Sequence, residues 1–321
     1  MTSADPLHVY ADSRAALIGT WDYKYLESVD PAARNSLGRM TDLLTGPLCG
    51  WPEDRVEVIG NERECGNLPH RLMRLYQGIT DVALFYFVGH GQIYDDELCL
   101  ALGESPYEAS SLRLTAGLQF RHVRQALLAC DAETKIVILD CCYSGIATKS
   151  GQALSGTAAE IMDRTAGTGA FTMAACEPYY TGWFEPGEPG APVQTYFTKH
   201  LVDTIEAGLP REGAGLSLGA VFTATAEALA SARRPRPTRS VRHDADQFVI
   251  ARNTHQAATQ HMRTERGQCE GPERNEPSSN GFSLRIDRRH RRKYATAGGI
   301  LGTLGILAVL VFSFFKRSDA P

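Results

Sequence analysis

The sequence predicts an α/β fold built on a mainly parallel, six-stranded sheet with helices on both faces. Two observations carry that reading. Short apolar runs rich in β-branched and aromatic residues recur at Ala15–Gly19, Val56–Ile59, Val82–Val88, Ile136–Leu139, Ala170–Ala175 and Phe248–Ala251. Runs of this length and continuity suit strands covered on both faces. Between them lie stretches with apolar residues at helical spacing, at Ala32–Leu44, Leu68–Tyr76, Phe120–Ala129, Phe197–Ala207 and Leu216–Ala232. Strands that alternate with helices imply right-handed crossovers and parallel pairing.

With 321 residues, 43% of them hydrophobic, the chain is long enough for one large domain with appendages. Its 33 bases and 37 acids leave a net charge of −4. That balance gives no global basic field, and nucleic acid is not expected as a partner. Eight cysteines, at 49, 65, 99, 130, 141, 142, 176 and 269, include no CxxC pair. Neither a zinc knuckle nor a disulfide framework is therefore expected, and reduced cytosolic thiols fit best. The histidines outside residue 90 show no metal-ligand spacing, so no metal site is assigned. Residues 1–14 lack an apolar run behind a positive cluster, and no secretory signal is expected there.

Composition divides the chain further. Residues 1–253 read as the folded domain. Residues 254–293 are polar, without apolar periodicity, and end in Arg285, Arg288, Arg289, Arg291, Arg292 and Lys293, the pattern of a flexible linker with a basic cluster. Tyr294–Phe315 is a run of 22 residues without a charge. At about 1.5 Å per residue a helix of that length spans roughly 33 Å, enough for a hydrocarbon core of about 30 Å. The six cations before it outnumber Lys316 and Arg317 in the tail at 316–321. This bias predicts a single-pass membrane protein whose large N-terminal domain stays in the cytoplasm.

In a parallel sheet the functional residues gather beyond the carboxyl ends of the strands. Val82–Val88 runs into Gly89-His90-Gly91, and Ile136–Leu139 runs into Asp140-Cys141-Cys142-Tyr143-Ser144-Gly145. An imidazole beside a thiol stabilises the thiolate, and acyl transfer then needs donors aimed at the developing oxyanion. His90 and Cys142 supply the first requirement. The amides of Gly91 and Cys142 are assigned to the second, because glycine lets backbone approach a substrate without a Cβ in the way. Alternation at a strand end allows only one of the two vicinal thiols to face such a site.

The run Leu84–Gly91 followed by Asp140–Gly145 resembles the two signature segments of caspases and metacaspases, particularly the bacterial caspase-like domains. The histidine precedes the cysteine by 52 positions, against about 50 in the caspase pattern. A weaker resemblance extends over residues 10–253, through Arg14–Gly19 with Asp22-Tyr23, Phe171–Cys176 and Phe197-Thr198. It implies a caspase-hemoglobinase fold, a Cys–His dyad with no required third member, and hydrolysis of peptide bonds in protein substrates. It also places the nucleophile directly before Tyr143-Ser144-Gly145. That makes Cys142 the nucleophile and Cys141 a small buried apolar residue. Tyr143 stands where metacaspases commonly carry His.

Asp140 corresponds to an acid that lines the primary specificity pocket in metacaspases. As a substrate-binding carboxylate it would draw Arg or Lys at P1; the alternative is that it caps its own turn through backbone hydrogen bonds. Some metacaspases use calcium, and Asp95, Asp96 and Glu97 are acids of the kind that bind it, but acids in a loop are ordinarily solvated. No cofactor is expected. The competing reading of the whole chain is a catalytically inactive caspase-like scaffold that recruits protein partners to the membrane. The sequence sets no oligomeric state.

Overall fold

Val82–Val88 (β3) is a run of seven consecutive buried residues. Only a strand with neighbours on both edges and layers on both faces buries every side chain. In the computed structural model, β1 (Arg14–Gly19) and β7 (Thr134–Asp140) flank it, both parallel. β2 (Val56–Gly60) lies beyond β1, and β8 (Gly169–Ala174) lies beyond β7. β10 (Thr238–Arg242) closes the far edge antiparallel to β8, which gives the order β10-β8-β7-β3-β1-β2. The structure describes Leu7 and residues 9–94, 97–106, 117–142, 169–176 and 192–255. The chain divides into two compact units, 1–270 and 271–321, and every described residue belongs to the first.

Alternation along the strands sorts the core into two layers. Leu84, Tyr86 and Val88 of β3 join Leu17, Ile136, Ile138, Phe171 and Met173 on one face. There they meet α1 (Ala32–Thr45) through Leu37, Met40 and Leu44, α4 (Tyr196–Ala207) through Phe197, Leu201 and Ile205, and α5 (Leu218–Ser231) through Val221 and Leu229. Ala83, Phe85 and Phe87 face the other way, with Ile18, Val137 and Leu139. They pack on α2 (Leu68–Tyr76) and α3 (Phe120–Leu128). Burying each such Leu or Phe contributes roughly 1.5–3 kcal/mol, which fixes the helices to the sheet and the sheet to its register.

The six strands of the main sheet are not the six that the apolar runs indicate. Phe248–Ala251 appears as β11 (Val249–Arg252), which pairs with β9 (Gly215–Ser217) in a separate two-stranded sheet. The sixth main-sheet strand is β10, whose sequence Thr-Arg-Ser-Val-Arg alternates between partial burial and exposure. An edge strand covered on one side has no continuous apolar run to reveal it. A further three-stranded antiparallel sheet is made by β4 (Gly91–Tyr94), β5 (Glu97–Ala101) and β6 (Gly117–Gln119). Its strands of three to five residues leave little periodicity to read.

The basic cluster and the predicted span at 294–315 lie outside the described residues, as does all of the 254–293 linker beyond His255. Among the described residues no helix is long and apolar enough to cross a membrane.

Candidate active site

Parallel register brings the two signature segments to one edge of the sheet. Val88 pairs with Asp140 at the last rung of β3 and β7, and one step further the Gly89 amide donates to the Asp140 carbonyl at 3.2 Å. Counting two positions on from that rung reaches His90 on one strand and Cys142 on the other. The approach is close: a Cβ on Gly91 would collide with the Cys142 carbonyl and stand 3.1 Å from the Cys141 sulfur.

The two vicinal thiols have opposite surroundings. Cys141 is 3% exposed and belongs to the same core layer as Phe85 and Phe87, and burial pushes its thiol well above the ordinary cysteine value. Cys142 is half-buried. Alternation from Asp140, which reaches toward α4, through Cys141, which turns to the opposite layer, accounts for the difference.

His90 is fixed at three points. Its main-chain N–H donates to the Tyr23 hydroxyl at 2.9 Å, its Nε2 lies 2.8 Å from the Glu27 carbonyl oxygen, and its ring tilts against the Tyr23 ring at a centroid distance of 4.9 Å. A carbonyl only accepts, so Nε2 carries the proton of the neutral ring and Nδ1 is left as the acceptor. Gly89 makes room for this arrangement. Its φ is +151°, and a Cβ there would stand 2.6 Å from the Tyr23 hydroxyl and 2.8 Å from the Thr20 carbonyl oxygen.

The Gly91 amide is left outside the sheet ladder. Ala101 donates to the His90 carbonyl at 2.9 Å, which makes that pair the hydrogen-bonded rung. The next pair, Gly91 with Leu100, is then a non-hydrogen-bonded position in the alternation of an antiparallel sheet.

Asp140 is 5% exposed. Its Oδ2 accepts from the Thr195 hydroxyl at 2.5 Å, the Thr198 hydroxyl at 2.6 Å and the Thr198 amide at 3.1 Å. The Tyr86 hydroxyl lies 2.8 Å from that of Thr198 and extends the network to β3. The carboxylate therefore caps the first turn of α4, where the exposed N–H groups and the helix dipole favour a negative charge. Among the described residues the partners of this carboxylate lie at the start of a helix distant in sequence.

Of the remaining residues considered from the sequence, Asp22 is exposed and its amide donates to the Asn61 side chain at 3.2 Å. Glu97 lies in β5 with its carboxylate 3.9 Å from Arg121. Asp95, Asp96 and the turn Tyr143-Ser144-Gly145 fall outside the described residues. Among the described residues no cluster of His, Cys, Asp or Glu could hold a metal ion. Sequence reasoning gave no role to Tyr23, Glu27, Thr195 or Thr198. Glu27 acts through its main chain, which leaves no side-chain signal. Thr195 stands at the N-cap of α4, a position that Thr favours, but its hydroxyl donates to Asp140 and does not cap the helix.

Burial raises the Asp140 carboxyl above its ordinary value, while the Thr195 and Thr198 donors pull it back. A carboxyl raised in the folded state holds its proton more tightly there than in the unfolded chain. Its contribution to stability is then full below the unfolded value of about 3.9 and is lost as pH rises through the folded value. Denaturant titrations are expected to show wild-type stability falling relative to Asp140→Asn as pH rises above about 4. A gap that moves the other way would mean that the three donors outweigh burial.

A family model described as Peptidase_C14, Caspase domain, matches residues 13–258. No curated protein matches the chain. Among solved structures, caspase-1 from Spodoptera frugiperda is similar at 12% identity, with 75% of this chain and 91% of that chain covered and a TM-score of 0.49.

Proposed function

The chain belongs to the caspase domain family, and from that premise we propose that it is a cysteine endopeptidase with Cys142 as nucleophile and His90 as general base. The observation that carries the reading is the shared sheet edge: a half-buried cysteine and a histidine whose Nε2 is engaged by the Glu27 carbonyl, at the same count beyond paired strands.

The chemistry follows the template of acyl transfer. His90 Nδ1 takes the Cys142 proton, and the sulfur forms a bond to the scissile carbonyl carbon. Negative charge moves to the carbonyl oxygen, where the Gly91 and Cys142 amides meet it. Collapse of the intermediate breaks the C–N bond, and the imidazolium returns its proton to the departing amine. Water activated by His90 then hydrolyses the thioester and frees the sulfur. The Glu27 carbonyl keeps the ring in one tautomer throughout and stabilises the imidazolium.

A basic P1 residue is the preference that goes with this reading. Burial raises the Asp140 carboxyl and the Thr195 and Thr198 donors favour its ionised form; a carboxylate at this place, directly before the nucleophile segment, favours Arg or Lys over Asp. Membrane attachment through 294–315, with the peptidase domain on the cytoplasmic side, completes the proposal on the strength of that uncharged run and its flanking cations.

Cys142→Ala and His90→Ala are each expected to lower kcat by at least about 10³-fold on a cleaved protein substrate, because members of a dyad act as a unit. Full turnover in Cys142→Ala would refute the assignment. A wild-type chain that neither cleaves nor reacts with a thiol-directed peptide probe would favour the scaffold reading. In a peptide library, cleavage after Arg or Lys is expected; clear preference for P1 Asp would remove Asp140 from the specificity site.

A further inference from the structure

The loop between β1 and α1 is built as a clamp on the histidine segment, and one side chain in it does more than fill space. Tyr23 is 8% exposed. Its hydroxyl donates to the Thr20 carbonyl at 2.8 Å and accepts the main-chain N–H of His90 at 2.9 Å, while its ring lies against the imidazole. The hydroxyl occupies the space that a Cβ on Gly89 would otherwise fill. Burial pushes the phenol well above its ordinary value, with smaller contributions from the Cys141 and Cys142 thiols.

We propose that Tyr23 is a positioning residue for catalysis, setting the direction of the His90 imidazole by holding the main chain of His90 and one side of its ring. The proposal rests on the peptidase reading of His90 and Cys142 and deepens it.

The loop that carries Tyr23 is hydrogen-bonded on both sides of it. Trp21 and Asp22 amides donate to the Asn61 side chain at 3.0 and 3.2 Å, and the Lys24 amide donates to the Gly103 carbonyl at 2.8 Å. Asn61 itself adopts a φ of 54° and donates its amide to the Gly19 carbonyl at 2.8 Å. Further along the loop, the Ser28 hydroxyl and the Val29 amide both donate to the Trp21 carbonyl, at 2.9 and 3.0 Å. They fold the loop back so that the neighbouring Glu27 carbonyl meets Nε2 of His90. One loop thus grips the histidine at its amide, its ring and its Nε2. Phenylalanine at 23 would keep the ring and remove both hydroxyl bonds, leaving the His90 N–H and the Thr20 carbonyl without that partner.

The test uses the full chain as wild type, Tyr23→Phe, His90→Ala and Tyr76→Phe. Tyr76 is a control for losing a buried hydroxyl elsewhere, since its hydroxyl donates to the Leu84 carbonyl at 2.6 Å. The first readout is kinetics on the best peptide from a library. Tyr23→Phe is expected to lose about 10- to 100-fold in kcat with KM within about twofold, the size of effect that a misplaced catalytic group produces. The second is the pH profile of Cys142 alkylation by iodoacetamide, followed by peptide mass spectrometry. Tyr23→Phe is expected to shift its midpoint toward the His90→Ala profile, whereas Tyr76→Phe leaves both readouts at wild-type values.

If Tyr23→Phe matches wild type while His90→Ala differs, the positioning role is overturned and the peptidase reading stands. If wild type and His90→Ala share one alkylation profile and neither turns over, the dyad falls and Tyr23 with it.

Discussion

The pairing of β3 with β7 is the constraint on which the site depends. These two strands run parallel in unbroken register from Val82 with Thr134 to Val88 with Asp140, and the Gly89 amide carries the ladder one bond further. Because side chains alternate strictly along a strand, a slip of one residue would send Asp140 into the layer of α2 and α3 and bring Cys141 to the edge. Slippage is opposed by the core itself, since Phe85 and Phe87 fill one layer and Leu84 and Tyr86 the other. The energy that decides which of the two thiols stands at the sheet edge is thus hydrophobic burial several residues away.

What the sheet sets coarsely, hydrogen bonds refine. Beyond the last rung the two chains leave regular structure, and each is caught by an element remote in sequence. Asp140 is held to the start of α4 by Thr195 and Thr198, and His90 is held by the loop after β1. Buried polar groups are costly unless bonded, and here the bonds that satisfy them also tie two segments remote in sequence to one edge. Glycine at 89 and 91 is what permits the backbones to approach so closely.

Much of this was legible in the sequence for a physical reason. A central strand must be apolar on both faces, so β1, β3, β7 and β8 announce themselves, and the histidine and cysteine segments follow directly from where β3 and β7 stop. The edge is harder: β10 is half exposed and carries two arginines, so its pattern resembles a loop, while the apolar β11 that resembles a core strand belongs to a different sheet. Hidden too was the geometry of support. Glu27 contributes a carbonyl oxygen that every residue type possesses, and Tyr23 lies 67 positions from His90. Asp140 could be read as pocket acid or turn cap, and its described partners at the start of α4 are 55 and 58 positions away.

The most direct test of a shared edge is the structure of the chain with a peptide aldehyde bound. The account predicts a thiohemiacetal on the Cys142 sulfur, its oxygen within hydrogen-bond distance of the Gly91 and Cys142 amides and Nδ1 of His90 turned toward the adduct. An adduct on another residue, or a His90 ring directed away from that sulfur, would contradict it.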